Sequence, residues 1–316
     1  MNTFVYNSRY SKSCNIIWRM TKDYKQLIPS VNWFKGGKIL VFIQILFVFS
    51  ISLSLISKGF FPSLELLFTL VVALLIWRSK TRALLFDLLP FLLLLISFQS
   101  LRGFADDLSP SSIHIVDLIE YEKYLFKGII PAAFIQNHLL NQPYSFFIEM
   151  LTSVFYWSHF VTPVITAMFL WHYKKTAYWP FVIGLILLSY IAFITYILYP
   201  AAPPWWATEF GYLTDQPVII PDSAMKIVIT IAGPNPVAAM PSLHMAYPIY
   251  ISLFCIYIWG KRTSWIFILP IAVGFSTLYL GHHYVLDLFV GIAYALVIFI
   301  GIYIFIKFQI ALPIRT

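Results

Sequence analysis

Long, nearly uncharged apolar runs follow one another along this chain, and they constrain its fold more than any other feature. A helix that crosses a bilayer needs about 20 predominantly apolar residues. Runs of about that length recur too often for one soluble core to bury them. The composition agrees, with 60% hydrophobic and only 11% charged residues, outside the range of ordinary soluble domains. The pattern predicts an all-α fold, a polytopic transmembrane helical bundle of about eight spans. They fall at about 39–57, 60–77, 83–99, 146–170, 178–199, 245–260, 264–280 and 285–307. The sixth and seventh are short for a span.

The basic residues give an independent check. With the N-terminus inside, the inner segments hold Arg9, Lys12, Arg19, Lys22, Lys25, Lys35, Lys38, Arg78, Lys80, Arg82, Lys174, Lys175, Lys261, Arg262, Lys307 and Arg315, which is 16 of 21. The outer segments hold Lys58, Arg102, Lys123, Lys127 and Lys226. This asymmetry follows the positive-inside rule. The net charge of +8 therefore reads as membrane topology rather than nucleic-acid binding. Both termini are expected in the cytoplasm, in a protein of the plasma membrane.

No cleavable signal peptide is read from the polar, basic first 38 residues. Cys14 and Cys255 are the only cysteines. One lies in the basic segment and the other within an apolar run, so neither a disulfide nor a cysteine metal site is expected. No internal repeat is evident. The expected organisation is a basic cytoplasmic segment (1–38), accessory spans (39–99), an extracytoplasmic amphipathic segment (100–145) and a catalytic transmembrane domain (146–307). Spans four to eight would form that catalytic core.

Two long segments fall outside. Residues 100–145 are partly amphipathic and suit an interfacial helix. Residues 200–244 carry clustered prolines and tryptophans and read as a fixed, irregular loop, with the tryptophans at headgroup level.

On this topology Tyr199-Pro200, Pro241-Ser242-Leu243-His244 and the stretch from His282 to Asp287 converge on the outer face. His283 and Asp287 are four apart and share one face if the helix has begun. An aspartate beside an imidazole fixes its tautomer and raises its basicity, which makes the other ring nitrogen a good nucleophile. His244 can protonate a leaving alkoxide and then deprotonate an acceptor hydroxyl. Phosphoryl transfer through a phosphohistidine follows, and it calls for no metal and no cofactor. Ser242 suits a helix N-cap, and the N–H groups behind it could meet a phosphate.

Pro-Ser-Leu-His at 241–244 resembles the second signature of the type 2 phosphatidic acid phosphatase superfamily. Ser276, His283 and Asp287 match its third signature at the right spacing. The resemblance covers about 200–290 closely and spans four to eight in outline. It implies His283 as nucleophile, Asp287 as its orienting partner and His244 as general acid and base. Two departures matter. Thr277 stands where the third signature has arginine, and the first signature's Arg-Pro is absent. If Pro200 takes its proline position, Ala192 and Tyr199 replace the two cations. A site without them suits a phosphodiester, with one negative charge, better than a phosphomonoester. Arg102, Lys226 or His282 could supply charge instead.

Pro203-Pro204-Trp205, Pro-Ser-Leu-His and His282-His283-Tyr284 together are similar to the inositol phosphorylceramide synthase branch. That likeness implies movement of a phosphorylated headgroup from a phospholipid, phosphatidylinositol-like, to a lipid or sugar hydroxyl. The expected partners are those two substrates and the bilayer, and no nucleic acid. A lipid phosphate phosphatase is the alternative, and a transporter using the histidines as a proton relay is the distant one. A metal site built from His244, His282, His283 and Asp287 is disfavoured because adjacent histidines point apart. His282, Arg102, Lys226, Ser242 and Ser276 are the candidate substrate contacts. His159 reads equally as a core histidine or a pocket residue. Asp87 is expected to pair with a basic turn residue such as Arg78 or Arg82.

Overall fold

A computed structural model describes residues 112–221 and 237–311, together with the helical positions Asp87, Phe91, Leu95, Phe98 and Leu101. The first two expected spans, most of the third, and Arg102, Lys226 and Cys14 lie outside the described residues. Within them the regular secondary structure is all helical, and isolated bridges join His114 to Ala201 and Ala201 to Ala238. Two short helices come first, α1 (Val116–Leu125) and α2 (Pro131–Leu139). The long α3 (Ser145–Tyr173) and α4 (Lys175–Leu198) follow, then the short α5 (Pro204–Glu209). After these come α6 (Leu243–Trp259), a 3-10 helix (Lys261–Phe267), α7 (Ile268–Tyr279) and α8 (Val285–Ala311).

Among the described residues three helices are long and apolar enough to cross a bilayer: Ser145–Tyr173, Lys175–Leu198 and Val285–Lys307. Their outward faces carry Ile165, Phe169, Ile194, Val297, Ile300 and Ile304, all exposed. That is the surface expected where the solvent is lipid. The shorter α6 is apolar all round, which reads as a buried helix. It sits at the centre, packed on α3, α4, α7 and α8. Lipid provides no hydrophobic drive between helices, so polar cross-links and close packing hold such bundles. Here Ser189 Oγ meets Tyr247 Oη at 2.6 Å and Thr195 Oγ1 meets Tyr294 Oη at 2.7 Å. Tyr196 Oη donates to the Pro241 carbonyl at 2.8 Å.

The expected seventh span is not one continuous α-helix. Gly260, at φ 88°, ends α6, and a 3-10 segment precedes α7. Pro270 stands in the first turn of α7, where a proline's missing N–H costs little. In the described parts of the outer loop, 200–221 and 237–242, the chain is irregular except for Pro204–Glu209, which is a short helix. Its proline stands at the first helical position, where the missing N–H costs nothing.

The segments 112–145 and 200–221 form one layer over an end of the bundle. Lys123 pairs with Asp215 at 2.6 Å. Gln136, buried, donates from Nε2 to the carbonyls of Ile219 and Tyr279 and accepts from the Ile219 N–H. Toward the other end, Asp87 accepts from Trp171 Nε1 at 2.7 Å and lies 3.4 Å from Lys175 Nζ. Lys175 is thus one basic partner of Asp87; Arg78 and Arg82 lie outside the described residues.

Candidate active site

The two histidine motifs are locked together through backbone. Ser242 caps α6, its Oγ accepting from Met245 N at 3.4 Å. Its own N–H donates to the Asp287 carbonyl at 3.1 Å. A Cβ on Gly291 would stand 2.4 Å from the Ser242 carbonyl oxygen, so only glycine lets the first turns of α6 and α8 approach this closely.

The turn between α7 and α8 presents the histidine pair. Gly281, at φ 78°, takes a left-handed conformation that favours glycine. A Cβ there would meet the Ile219 carbonyl oxygen at 2.9 Å, and its carbonyl accepts from Trp205 N at 3.2 Å. Pro203-Pro204-Trp205 is thereby tied to the turn. His283 lies just ahead of α8, not on its face as the four-residue spacing suggests. Asp287 reaches it by folding back over the helix start, and its Oδ2 accepts from Tyr284 N at 2.9 Å. That is the backward half of a capping box.

The result is a linear relay. Asp287 Oδ2 lies 3.3 Å from His283 Nδ1, and His283 Nε2 lies 3.0 Å from His244 Nδ1. All three residues are buried. With the Nδ1 proton of His283 directed at the carboxylate, Nε2 carries the lone pair and His244 Nδ1–H donates to it. Asp287 Oδ1 is buried without a hydrogen-bond partner among the described residues.

Helix α3 covers this relay. The His159 ring lies 3.8 Å from that of His244, centroid to centroid, and its Nδ1 is 2.6 Å from the Tyr156 carbonyl oxygen. A carbonyl only accepts, so the proton sits on Nδ1. Tyr156 spans two motif residues, with its ring 4.4 Å from His244 and 4.9 Å from His282. His159 thus packs against His244 while its own Nδ1–H is satisfied within α3. Ser276 is buried on α7, with its Oγ donating to the Ala272 carbonyl at 2.7 Å, so its hydroxyl serves its own helix. Thr277 likewise bonds within α7. Of the positions replacing the missing cations, Ala192 is in the core and Tyr199 donates to Asp117 at 3.0 Å while stacking on His114.

One acid that the spacing did not single out stands at the same place. Glu122 on α1 is fully buried. Its Oε1 accepts from Val285 N at 2.9 Å and its Oε2 from Leu286 N at 3.2 Å. Burial, together with the charge of Asp287, outweighs the two N–H groups and pushes its carboxyl up to about 7.

A membrane-embedded helical phosphotransferase is the class that this bundle and its kin define. Residues 117–301 match the model of the PAP2 superfamily, and the chain belongs to that family, on its inositol phosphorylceramide synthase-like branch. It is 27% identical over 236 residues to the phosphoinositol dihydroceramide synthase of Bacteroides thetaiotaomicron, covering 67% of this chain and 74% of that protein. No solved structure matches the chain significantly.

Proposed function

We propose that the protein transfers a phosphorylated polyol headgroup from a phosphatidylinositol-like diester to the hydroxyl of a sphingoid lipid such as dihydroceramide. The observation that carries this reading is the relay Asp287–His283–His244, with successive contacts of 3.3 and 3.0 Å. His283 Nε2 attacks phosphorus and the bond from phosphorus to the diacylglycerol oxygen breaks. His244 gives its proton to the departing oxygen. In the second half, the acceptor hydroxyl passes its proton to His244, its oxygen attacks phosphorus, and the P–N bond breaks. Asp287 holds the His283 tautomer and stabilises the charge on the ring in both halves.

No phosphoryl group fits between nitrogens 3.0 Å apart, so substrate entry separates the two rings. His159, whose tilted ring packs on that of His244, limits how far that ring withdraws. The acceptor preference rests on the named relative, and the diester donor on the signature cations that this chain lacks. On this reading the site faces the extracytoplasmic leaflet, the layer of 112–145 and 200–221 lies at the headgroups, and His282 and Ser242 contact the phosphate. Arg102 and Lys226 are the remaining candidates for its countercharge, and Ser276 is the least favoured contact.

Phosphorus NMR on the purified protein in detergent tests the proposal. The protein would be given phosphatidylinositol with dihydroceramide and, separately, phosphatidic acid, with His283→Ala as control. A new diester signal that requires both lipids and His283 is the expected outcome. Phosphate released from phosphatidic acid, with the diester untouched, would make the protein a lipid phosphatase. Turnover persisting in His283→Ala would remove the phosphohistidine mechanism.

A further inference from the structure

We infer that Glu122 is a positioning residue for the transfer reaction, its carboxylate holding the first turn of α8 so that Asp287 and His283 stay in register with His244. The inference rests on the catalytic reading above, and three observations lead to it.

Glu122 is 163 residues from Val285 in sequence, yet its two oxygens take two consecutive N–H groups at the start of α8. Those N–H groups have no partner within the helix. The next residue is Asp287, whose Oδ2 takes the Tyr284 N–H. Residues 284–287 are thus clamped by two carboxylates, one from inside the helix and one from outside it. His283, immediately before the clamp, makes its contact with Asp287 from the turn that the clamp holds.

The position is also an unusual one for an acid. A serine or threonine cap would satisfy this helix start without burying a charge. Glu122 instead sits beside a second buried carboxylate, an arrangement that opposes its own ionisation. The start of a helix attracts phosphate, and here that seat is filled. The phosphate of the substrate is therefore directed to the histidines rather than to the α8 N-terminus. The titratable groups facing Glu122 are Asp287 on α8 and Tyr284 in the preceding turn, and Asp117 lies further along its own helix. Asp117 is itself engaged by His114 and Tyr199.

The test uses the full chain in detergent with phosphatidylinositol and dihydroceramide as probes. The variants are Glu122→Gln, Glu122→Asp and, as control on the same helix, the exposed Glu120→Gln. Glu122→Gln keeps one acceptor oxygen and loses the charge. Its kcat is expected to fall about tenfold with KM within about twofold, as for a group that acts on the reacting residues rather than on ground-state binding. The acid limb of its pH–rate profile should become shallower and move to lower pH, because one of the ionisations that shape it has been removed. Glu120→Gln should match the wild type.

A folded Glu122→Gln with wild-type kcat would overturn the inference. So would a loss equal at every pH with the acid limb unmoved, which marks a scaffold contact. Failure of both Glu122 variants to fold, judged by size exclusion and melting, would equally assign the residue to the scaffold. Activity that survives in His283→Ala instead brings down the catalytic reading, so the two failures are separable.

Discussion

Gly291 on α8 lies against the Ser242 carbonyl at the start of α6, so closely that a Cβ there would stand 2.4 Å from that oxygen. Backbone cannot yield as a flexible side chain can. Gly291→Ala is therefore expected to wedge the two helix starts apart, moving His244 away from His283 and Asp287. Displacements of about 1 Å in a catalytic pair can cost about a hundredfold. Transfer activity in Gly291→Ala should fall by at least about tenfold while the bundle still assembles. Gly301→Ala on the same helix meets nothing within 4 Å and should keep wild-type activity. Rate measurements on the two purified variants check this.

The relay gives a graded expectation. His283→Ala removes the proposed nucleophile and should leave only background turnover. Asp287→Asn keeps an oxygen for the Tyr284 N–H but no longer fixes the imidazole tautomer, and comparable changes in catalytic triads cost about 10⁴-fold. Loss in Asp287→Asn should fall between about 10²- and 10⁴-fold, with the variant melting close to wild type. Protein incubated with headgroup-labelled phosphatidylinositol and quenched in denaturant at neutral to mildly alkaline pH, where a phosphorus–nitrogen bond survives, should retain label on wild type and none on His283→Ala.

Much of this site was legible because its chemistry is local in sequence. Pro-Ser-Leu-His and the spacing of His283 and Asp287 placed three polar residues at helix starts, where an apolar chain has little other use for them. The long α3, α4 and α8 were legible from hydropathy alone. What escaped is what the tertiary fold decides. Glu120 and Glu122 sit two apart in one amphipathic segment, and no local signal separates the exposed acid from the buried one. Tyr156 looks like any aromatic-belt residue until α3 crosses above His244. The 3-10 segment ahead of α7 and the short helix from Pro204 depend on which backbone carbonyls and N–H groups find partners, and hydropathy does not record that.

The position of His159, equally readable from sequence as core or pocket, leads to a separate expectation. Its ring backs that of His244 at 3.8 Å between centroids, while its Nδ1–H is committed to the Tyr156 carbonyl. His159→Ala leaves space behind His244 and loosens the ring that must deliver the proton, so kcat should drop about tenfold. His159→Phe restores an aromatic backing without the donor and should recover most of that loss. Full loss in both variants would point to proton transfer through His159 itself.

The raised carboxyl of Glu122 also gives stability a pH dependence with a definite sign. Its folded-state value is about 7 against 4.5 when unperturbed. Between those values the folded protein holds a proton that the unfolded chain has released, so stability falls as pH rises through the interval. Below 4.5 both states are protonated, and above 7 both are ionised, so the dependence flattens on either side. Across the interval the change is of the order of 3 kcal/mol. Glu122→Gln carries no such ionisation. Melting of wild type and variant in the same detergent, from pH 4.5 to 8, should show wild type losing ground to the variant as pH rises toward 7, with a constant difference beyond. A difference that stays level across that range would mean that the Glu122 carboxyl titrates as an ordinary exposed acid.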